Sequence, residues 1–238
     1  MAFRYSPKIV TDGLILYYDG ANPQCYVSGA TTSNDLSLTQ STGTLENGVT
    51  YDTDNNGSWV FDGLDDYIEI SDNENFDFER TDSFSLSGWI NIPNYGLTTI
   101  EGILTKYSNP PATGYYFAIK EGKISFSLQN NGGNNGLLVN TVNTINLQQW
   151  YYITTTYDGS SLASGVNIYI NGVNVSTSTE FDSLTGTILN PTSLKIGGLV
   201  TPSRYLDGKI SVATIYNKEL TQEEVLQNYN AMKSRFGL

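Results

Sequence analysis

The stretch FSLSGWINI, from Phe84 to Ile92, places Phe84, Leu86, Gly88, Ile90 and Ile92 on one parity and Ser85, Ser87 and Asn91 on the other. That two-residue period is the mark of a half-buried antiparallel strand. Further along, Ile124, Phe126 and Leu128 alternate with Ser125, Ser127 and Gln129 in the same way. The apolar parity is predicted to face the interior of a sandwich and the serines to face solvent.

Outward from these two segments, strands are predicted at Leu14 to Tyr18, Trp59 to Phe61, Tyr67 to Ile70, Ile103 to Lys106, Tyr115 to Ile119 and Leu137 to Asn140. Others follow at Tyr151 to Tyr157, Val166 to Ile170, Val173 to Ser176, Leu194 to Ile196 and Ile210 to Tyr216. Asp62 and Gly63 form a tight turn, and Asn171-Gly172 suits a type I′ hairpin because both positions need positive φ. The polar stretch Asn22 to Gly48 reads as loop with short extended pieces. Many short strands without interleaved helices indicate an all-β, antiparallel sandwich of the jelly-roll kind. One helix is predicted from Gln222 to Met232, opened by the capping box Thr221/Glu224 and carrying Val225, Leu226, Tyr229 and Met232 at helical spacing. Lys233 and Arg235 stand where they favour the negative end of its dipole.

At 238 residues, with no internal repeat and no linker, the chain is expected to form one domain over residues 13–238 behind an N-terminal arm, residues 1–12. A formal charge of -12 with only 12 basic residues argues against nucleic acid, whose affinity comes from Lys and Arg displacing counterions. Cys25 is the single cysteine, so no intrachain disulfide can form. The opening MAFRYSPKIV has no apolar signal core, and no stretch is long enough to cross a bilayer. A soluble product of a cytoplasm is expected.

The chain has no histidine. This removes Ser-His-Asp and Cys-His nucleophilic systems and the usual zinc sites together. Among carboxylates, Glu69, Asp72 and Glu74 come nearest to a paired acid arrangement, but a glycosidase needs two such groups facing one cleft and this spacing puts them partly on a turn. No catalytic residue is assigned. Asp52, Asp54, Asn56 and Gly57 have the Asp-x-Asp-x-Asn-Gly opening of a calcium loop, although Gly63 stands where its bidentate Glu belongs. For glycans, which are held by aromatic faces and side-chain amides, the candidates are Tyr95, Tyr107 and Tyr205 with Asn131 and Asn134 of the Asn130-to-Asn135 loop. Asn-rich turns and single tyrosines also occur on any β-protein, and that loop is most simply a hairpin.

The string FDGLDDYIEI at Phe61 to Ile70, with WYYITTTYDG from Trp150, NIYINGV from Asn167 and IYNKELTQEEVLQNYNAMKSRFGL at the end, resembles the laminin-G-like, concanavalin A-like jelly rolls. It especially resembles the stand-alone versions encoded by tailed bacteriophages. The resemblance covers Gly13 to Leu238, and its motifs report architecture rather than a ligand. It implies a non-enzymatic virion protein, made in the host cytoplasm and displayed on the capsid, neck or tail for decoration or adhesion. Other virion proteins, host-surface glycans and further copies of the chain are the implied partners, without nucleic acid or membrane. A free carbohydrate-binding module is the alternative, with a glycoside hydrolase after it. Calcium is the one cofactor the resemblance suggests. Asn34 to Gly43, however, lacks the Ser-Gly-Asn-Gly-Asn series common in relatives, and Ser211-Val212 stands where many of them carry an acidic pair, the two regions that can supply calcium's oxygen ligands there.

Overall fold

The computed structural model describes residues 8–95, 100–199 and 204–238. In chain order its strands are β1 (Leu14–Asp19), β2 (Thr32–Ser33), β3 (Gly43–Glu46), β4 (Thr50–Asp52), β5 (Ser58–Asp62), β6 (Tyr67–Ile70), β7 (Phe84–Asn91), β8 (Ile100–Ser108) and β9 (Thr113–Lys120). They continue as β10 (Lys123–Asn130), β11 (Gly136–Thr141), β12 (Trp150–Tyr157), β13 (Val166–Ile170), β14 (Val173–Asn174), β15 (Thr177–Asp182), β16 (Leu194–Ile196) and β17 (Asp207–Tyr216), and α1 (Gln222–Met232) follows. Two antiparallel sheets result. The first runs β14-β13-β12-β7-β17-β5-β4, with β1 also paired to β17, and the second runs β15-β11-β10-β9-β8-β16-β6-β3-β2.

The alternation in the sequence builds the interior of this sandwich. Phe84, Leu86 and Ile90 of the first sheet meet Phe117, Phe126, Leu128 and Ile68 of the second in one buried cluster. Phe84 sits edge-on to Phe126 at 5.8 Å between ring centroids, bringing the two sheets into contact. Positive φ at Asn171 and Gly172 closes the β13-β14 hairpin, as the dipeptide predicts. Asn131 and Gly132 do the same between β10 and β11.

The polar parity does not behave as the period alone suggests. Ser85, Ser87, Ser125 and Ser127 are all 0% exposed rather than facing solvent. On the first sheet the cause is α1 and the turn after it, which lie across the outer face. Trp89, Tyr152, Val212 and Tyr216 from the strands pack there with Val225, Tyr229 and Phe236. Ser85 Oγ donates to Lys218 O (2.9 Å) and accepts from Leu220 N (2.9 Å), so a serine of the polar parity anchors the chain leading into the helix. The capping box forms as predicted: Thr221 Oγ1 accepts from Glu224 N and the Glu224 carboxylate accepts from Thr221 N.

Four short or polar strands are not placed by the sequence reading, although short extended pieces are expected between Asn22 and Gly48, where β2 and β3 lie. β2, β3 and β4 fall in or beside the segment read as loop, and β15 follows a β14 that ends two residues earlier than predicted. The described part of the arm, residues 8–12, is not free for attachment. Val10 N donates to Asn228 Oδ1 (2.7 Å), and Tyr216 Oη donates to Val10 O (3.0 Å). Residues 1–7 of the arm lie outside the described residues.

Candidate functional site

The outer face of the second sheet is of a different kind. Register places Lys195 opposite both Glu69 and Thr105, Thr105 opposite Tyr116, and Tyr116 opposite Ser127, so these side chains share one face. Beneath the surface Tyr116 and Ser127 join Tyr107 and Gln129 in a connected network. Tyr107 Oη donates to Gln129 Oε1 (2.6 Å), and Gln129 Nε2 donates to Ser127 Oγ (2.9 Å) and to Tyr116 Oη (3.4 Å). Ser127 Oγ passes the chain on to Leu137 O (2.7 Å). Beyond it, Ser125 Oγ donates to Asn140 Oδ1 (2.6 Å), Asn140 Nδ2 to Glu180 Oε2 (3.2 Å), and Glu180 pairs with Lys120. Burial accounts for the depth: Leu199, Ile100, Leu138 and Tyr107 cluster over this face, with Phe181 and Ala112 packed against them.

The rim of the network carries half-buried aromatic and charged groups. The rings of Tyr67 and Tyr205 stack at 6.0 Å, and Lys195 Nζ lies 4.2 Å from the Tyr67 centroid. An open groove of about 430 Å³ runs beside them, lined among others by Glu69, Lys195, Tyr107, Asn109 and Thr192. Burial and the neighbouring Tyr116 push the Tyr107 phenol up to about 12, partly offset by the Arg204 guanidinium. Aromatic faces, an ammonium, a carboxylate and amides around a polar groove can stack on a ring and hydrogen-bond hydroxyls.

The glycan candidates are divided by the fold. Tyr107 lines the groove and Tyr205 stacks at its rim, but both are buried, at 7% and 8% exposure, rather than standing free on the surface. Asn131 and Asn134 are exposed on the β10-β11 turn, whose Gly132 N donates to Ala112 O (2.9 Å), so they border the same end of the sheet as Tyr107. Asn130 and Asn135 tie that turn to residues 185–187. Tyr95 is 43% exposed at the opposite end, its hydroxyl donating to Ile145 O (2.6 Å) and its ring against Gly122. Sequence reasoning missed Tyr67, Glu69 as a groove residue, and Lys195. The outward parity of β6 and β16 was the available signal.

Of the calcium-loop candidates, Asp52 meets a protein cation, while Asp54 and Asn56 stand on the turn that follows it. Asp52 pairs with Lys209, and its Oδ1 accepts from Asp54 N (2.8 Å). Around the same turn the Arg235 guanidinium donates to Asn55 O (2.6 Å), Gly57 O (2.8 Å), Asp19 Oδ1 (2.6 Å) and Ser211 Oγ. Arg235 therefore binds turn carbonyls, not the helix end that sequence position suggested. Of the three carboxylates weighed for catalysis, Asp72 forms an ion pair at 2.8 Å with Lys106, which also pairs with Asp77 at 2.8 Å. Glu69 lies on the outer face opposite Lys195 and Thr44.

Residues 61–226 match the family profile described as the Concanavalin A-like lectin/glucanases superfamily. Botulinum neurotoxin type X of Clostridium botulinum is 28% identical over 165 residues, which span 68% of this chain and 12% of that protein. Among solved structures, the binding domain of Paraclostridial Mosquitocidal Protein 1 superposes with a TM-score of 0.71 at 18% identity, over 92% of this chain and 52% of that one. Domain 4 of AbnA, a GH43 extracellular arabinanase from Geobacillus stearothermophilus solved with arabinotriose, gives a TM-score of 0.64 at 17% identity, over 92% of this chain and all of that one. This chain thus spans a small part of the toxin and about half of the toxin-type binding domain. It belongs to the Concanavalin A-like lectin/glucanases superfamily.

Proposed function

We propose that this chain is a non-enzymatic glycan-binding domain, and that the sugar lies in the groove on the outer face of the second sheet. One observation carries the reading. The Tyr67/Tyr205 stack with Lys195 over it stands at the rim of a polar groove lined by Tyr107, whose hydroxyl is already fixed by the Gln129-Ser127 hydrogen bonds behind it. A lining residue fixed before the ligand arrives lowers the ordering cost of binding. The arabinotriose held by the AbnA domain supports a sugar as ligand, and the toxin-type structures are themselves binding domains. The setting we propose is a tailed-phage virion, where the chain decorates the particle or adheres through host-surface glycans, beside other virion proteins and copies of itself. The C-terminal motif IYNKELTQEEVLQNYNAMKSRFGL supports that setting.

Titration of the folded chain with arabino-oligosaccharides and a broader glycan panel, with and without calcium chloride, tests the site. Saturable binding is expected, weakened at least about fivefold by Tyr67→Ala and by Lys195→Ala, since each removes a half-buried stacking or charged contact at the rim. No binding to any sugar, or binding indifferent to both substitutions, would sink this reading. Mass spectrometry of purified virions tests the setting separately, and absence of the chain from intact particles would reject it.

A further inference from the structure

Across the outer face of the first sheet, Thr154 of β12, Ser87 of β7 and Thr214 of β17 stand in one row, since register sets Ser87 opposite both threonines. All three are at most 4% exposed, and none of their hydroxyls has a hydrogen-bond partner among the described residues. Buried hydroxyls without partners are costly, so a row of three calls for an explanation. Beside it the arm, α1 and the sheet border a cavity of about 10 Å³, lined by Thr214, Tyr152, Tyr216, Asn228, Met232 and Ile9 among others. Burial raises the Tyr152 phenol, while Ser87, Thr154 and Asn228 act against that rise, so their polar atoms gather around Tyr152 Oη. Asn228 is itself 2% exposed. Its Oδ1 accepts from Val10 N (2.7 Å), and its Nδ2 donates one hydrogen to Tyr216 Oη (3.1 Å), which leaves the second for another acceptor.

We propose that this cavity is a binding site for a single water molecule, which bridges Thr214 of the sheet to Asn228 of α1 and takes its remaining hydrogen bonds from among Tyr152, Ser87 and Thr154. The volume matches, since about 10–15 Å³ by this measure admits one water. The chemistry selects it as well. Hydroxyls that can give or accept, together with an amide N–H, suit a molecule with two donors and two acceptors. The lining offers no carboxylate for a metal ion and no Lys or Arg for an anion, and an apolar occupant would leave the hydroxyl row unpaired. Polar groups that gather without bonding one another directly are where a bridging water belongs. Its position also gives it a role. Asn228 holds Val10 N, and Tyr216 Oη donates to Val10 O, so fixing the Asn228 amide from the sheet side couples the hydroxyl row to closure of the arm. The site lies on the sheet opposite the proposed sugar groove, and neither reading depends on the other.

A high-resolution crystal structure of the full chain, joined to amide hydrogen exchange at Val10, tests the proposal. The wild type should hold one ordered oxygen at about 2.7–3.2 Å from Thr214 Oγ1, from Asn228 Nδ2 and from at least one of Tyr152 Oη, Ser87 Oγ and Thr154 Oγ1. Thr214→Val keeps the branched shape and removes the hydroxyl. It should lose that oxygen and speed exchange at Val10 N by about tenfold or more, whereas Thr214→Ser keeps the oxygen and the slow exchange. If Thr214→Val does not fold, the wild-type map decides. The proposal is overturned if that map shows no oxygen in the cavity, or shows the three hydroxyls bonded to one another instead. It is equally overturned if Thr214→Val retains the oxygen at full occupancy, or loses it while exchange at Val10 stays as in the wild type.

Discussion

The two outer faces of the sandwich start from the same sequence pattern and end differently. On the first sheet, Trp89 stacks on Phe236 at 4.0 Å and on Tyr229 at 5.8 Å, so the chain's own helix and the turn after it close the face with aromatic surface. On the second, Tyr107, Gln129, Ser127 and Tyr116 are buried but answer one another by hydrogen bonds, beside a groove that stays open. Burial alone therefore does not distinguish a face closed by the chain itself from one that borders an open groove. The distinction lies in whether the buried groups are apolar and covered, or polar, mutually satisfied and bordered by accessible aromatic and charged side chains.

Four substitutions would break or sharpen this contrast. Trp89→Ala removes the ring at the centre of the helix-covered face and should cost about 3–5 kcal/mol in denaturant unfolding. Sugar binding by the fraction that remains folded should persist, and a parallel loss of binding would mean the two faces are not independent. Arg235→Ala leaves Asp19, whose side chain is 13% exposed, without its partner, and should cost about 3 kcal/mol. Added to Asp19→Asn it should cost clearly less than the two single losses together, with a coupling of about 0.5–3 kcal/mol, and strict additivity would show that the pair is not an energetic unit.

The smallest effect belongs to the polar face. Tyr107→Phe leaves Gln129 Oε1 unpaired and should cost about 1–2 kcal/mol. It also has a pH signature. The folded phenol is raised from 10.0 to about 12, so between those values the folded state holds a proton that the unfolded state has lost. Stability contributed by the neutral phenol is thus full below pH 10 and is lost as pH rises toward 12. Unfolding curves of Tyr107→Phe should lose that portion of the alkaline decline, and an unchanged slope would contradict the assignment.

The interior was legible because parity is a one-dimensional signal: Phe84, Leu86 and Ile90 needed only a period of two to be placed inward. The capped helix and the Asn171-Gly172 turn were equally local. Trp89 shows where the signal was readable but overlooked. A tryptophan on the serine parity announces that something covers that face. β15, Thr177–Asp182, could not be found this way because it is almost entirely exposed and presents no apolar parity. The groove was half legible. Tyr107 and Tyr205 stood out as residue types, but Lys195 meets Tyr67 only through the pairing of β16 with β6, a register that no local pattern encodes.

The placement of β17 bears on how this protein comes into being. It lies between β7 on one side and β5 and β1 on the other, so the last strand to be synthesised is the one that joins the first sheet across its middle. Until it arrives, β7, β5 and β1 have edges without neighbours, and closure requires an encounter between distant parts of the polypeptide. Such late, long-range zippering slows folding and leaves sticky intermediates exposed for longer. Yield during expression should accordingly depend on temperature and chaperone supply more than the stability of the finished sandwich would suggest.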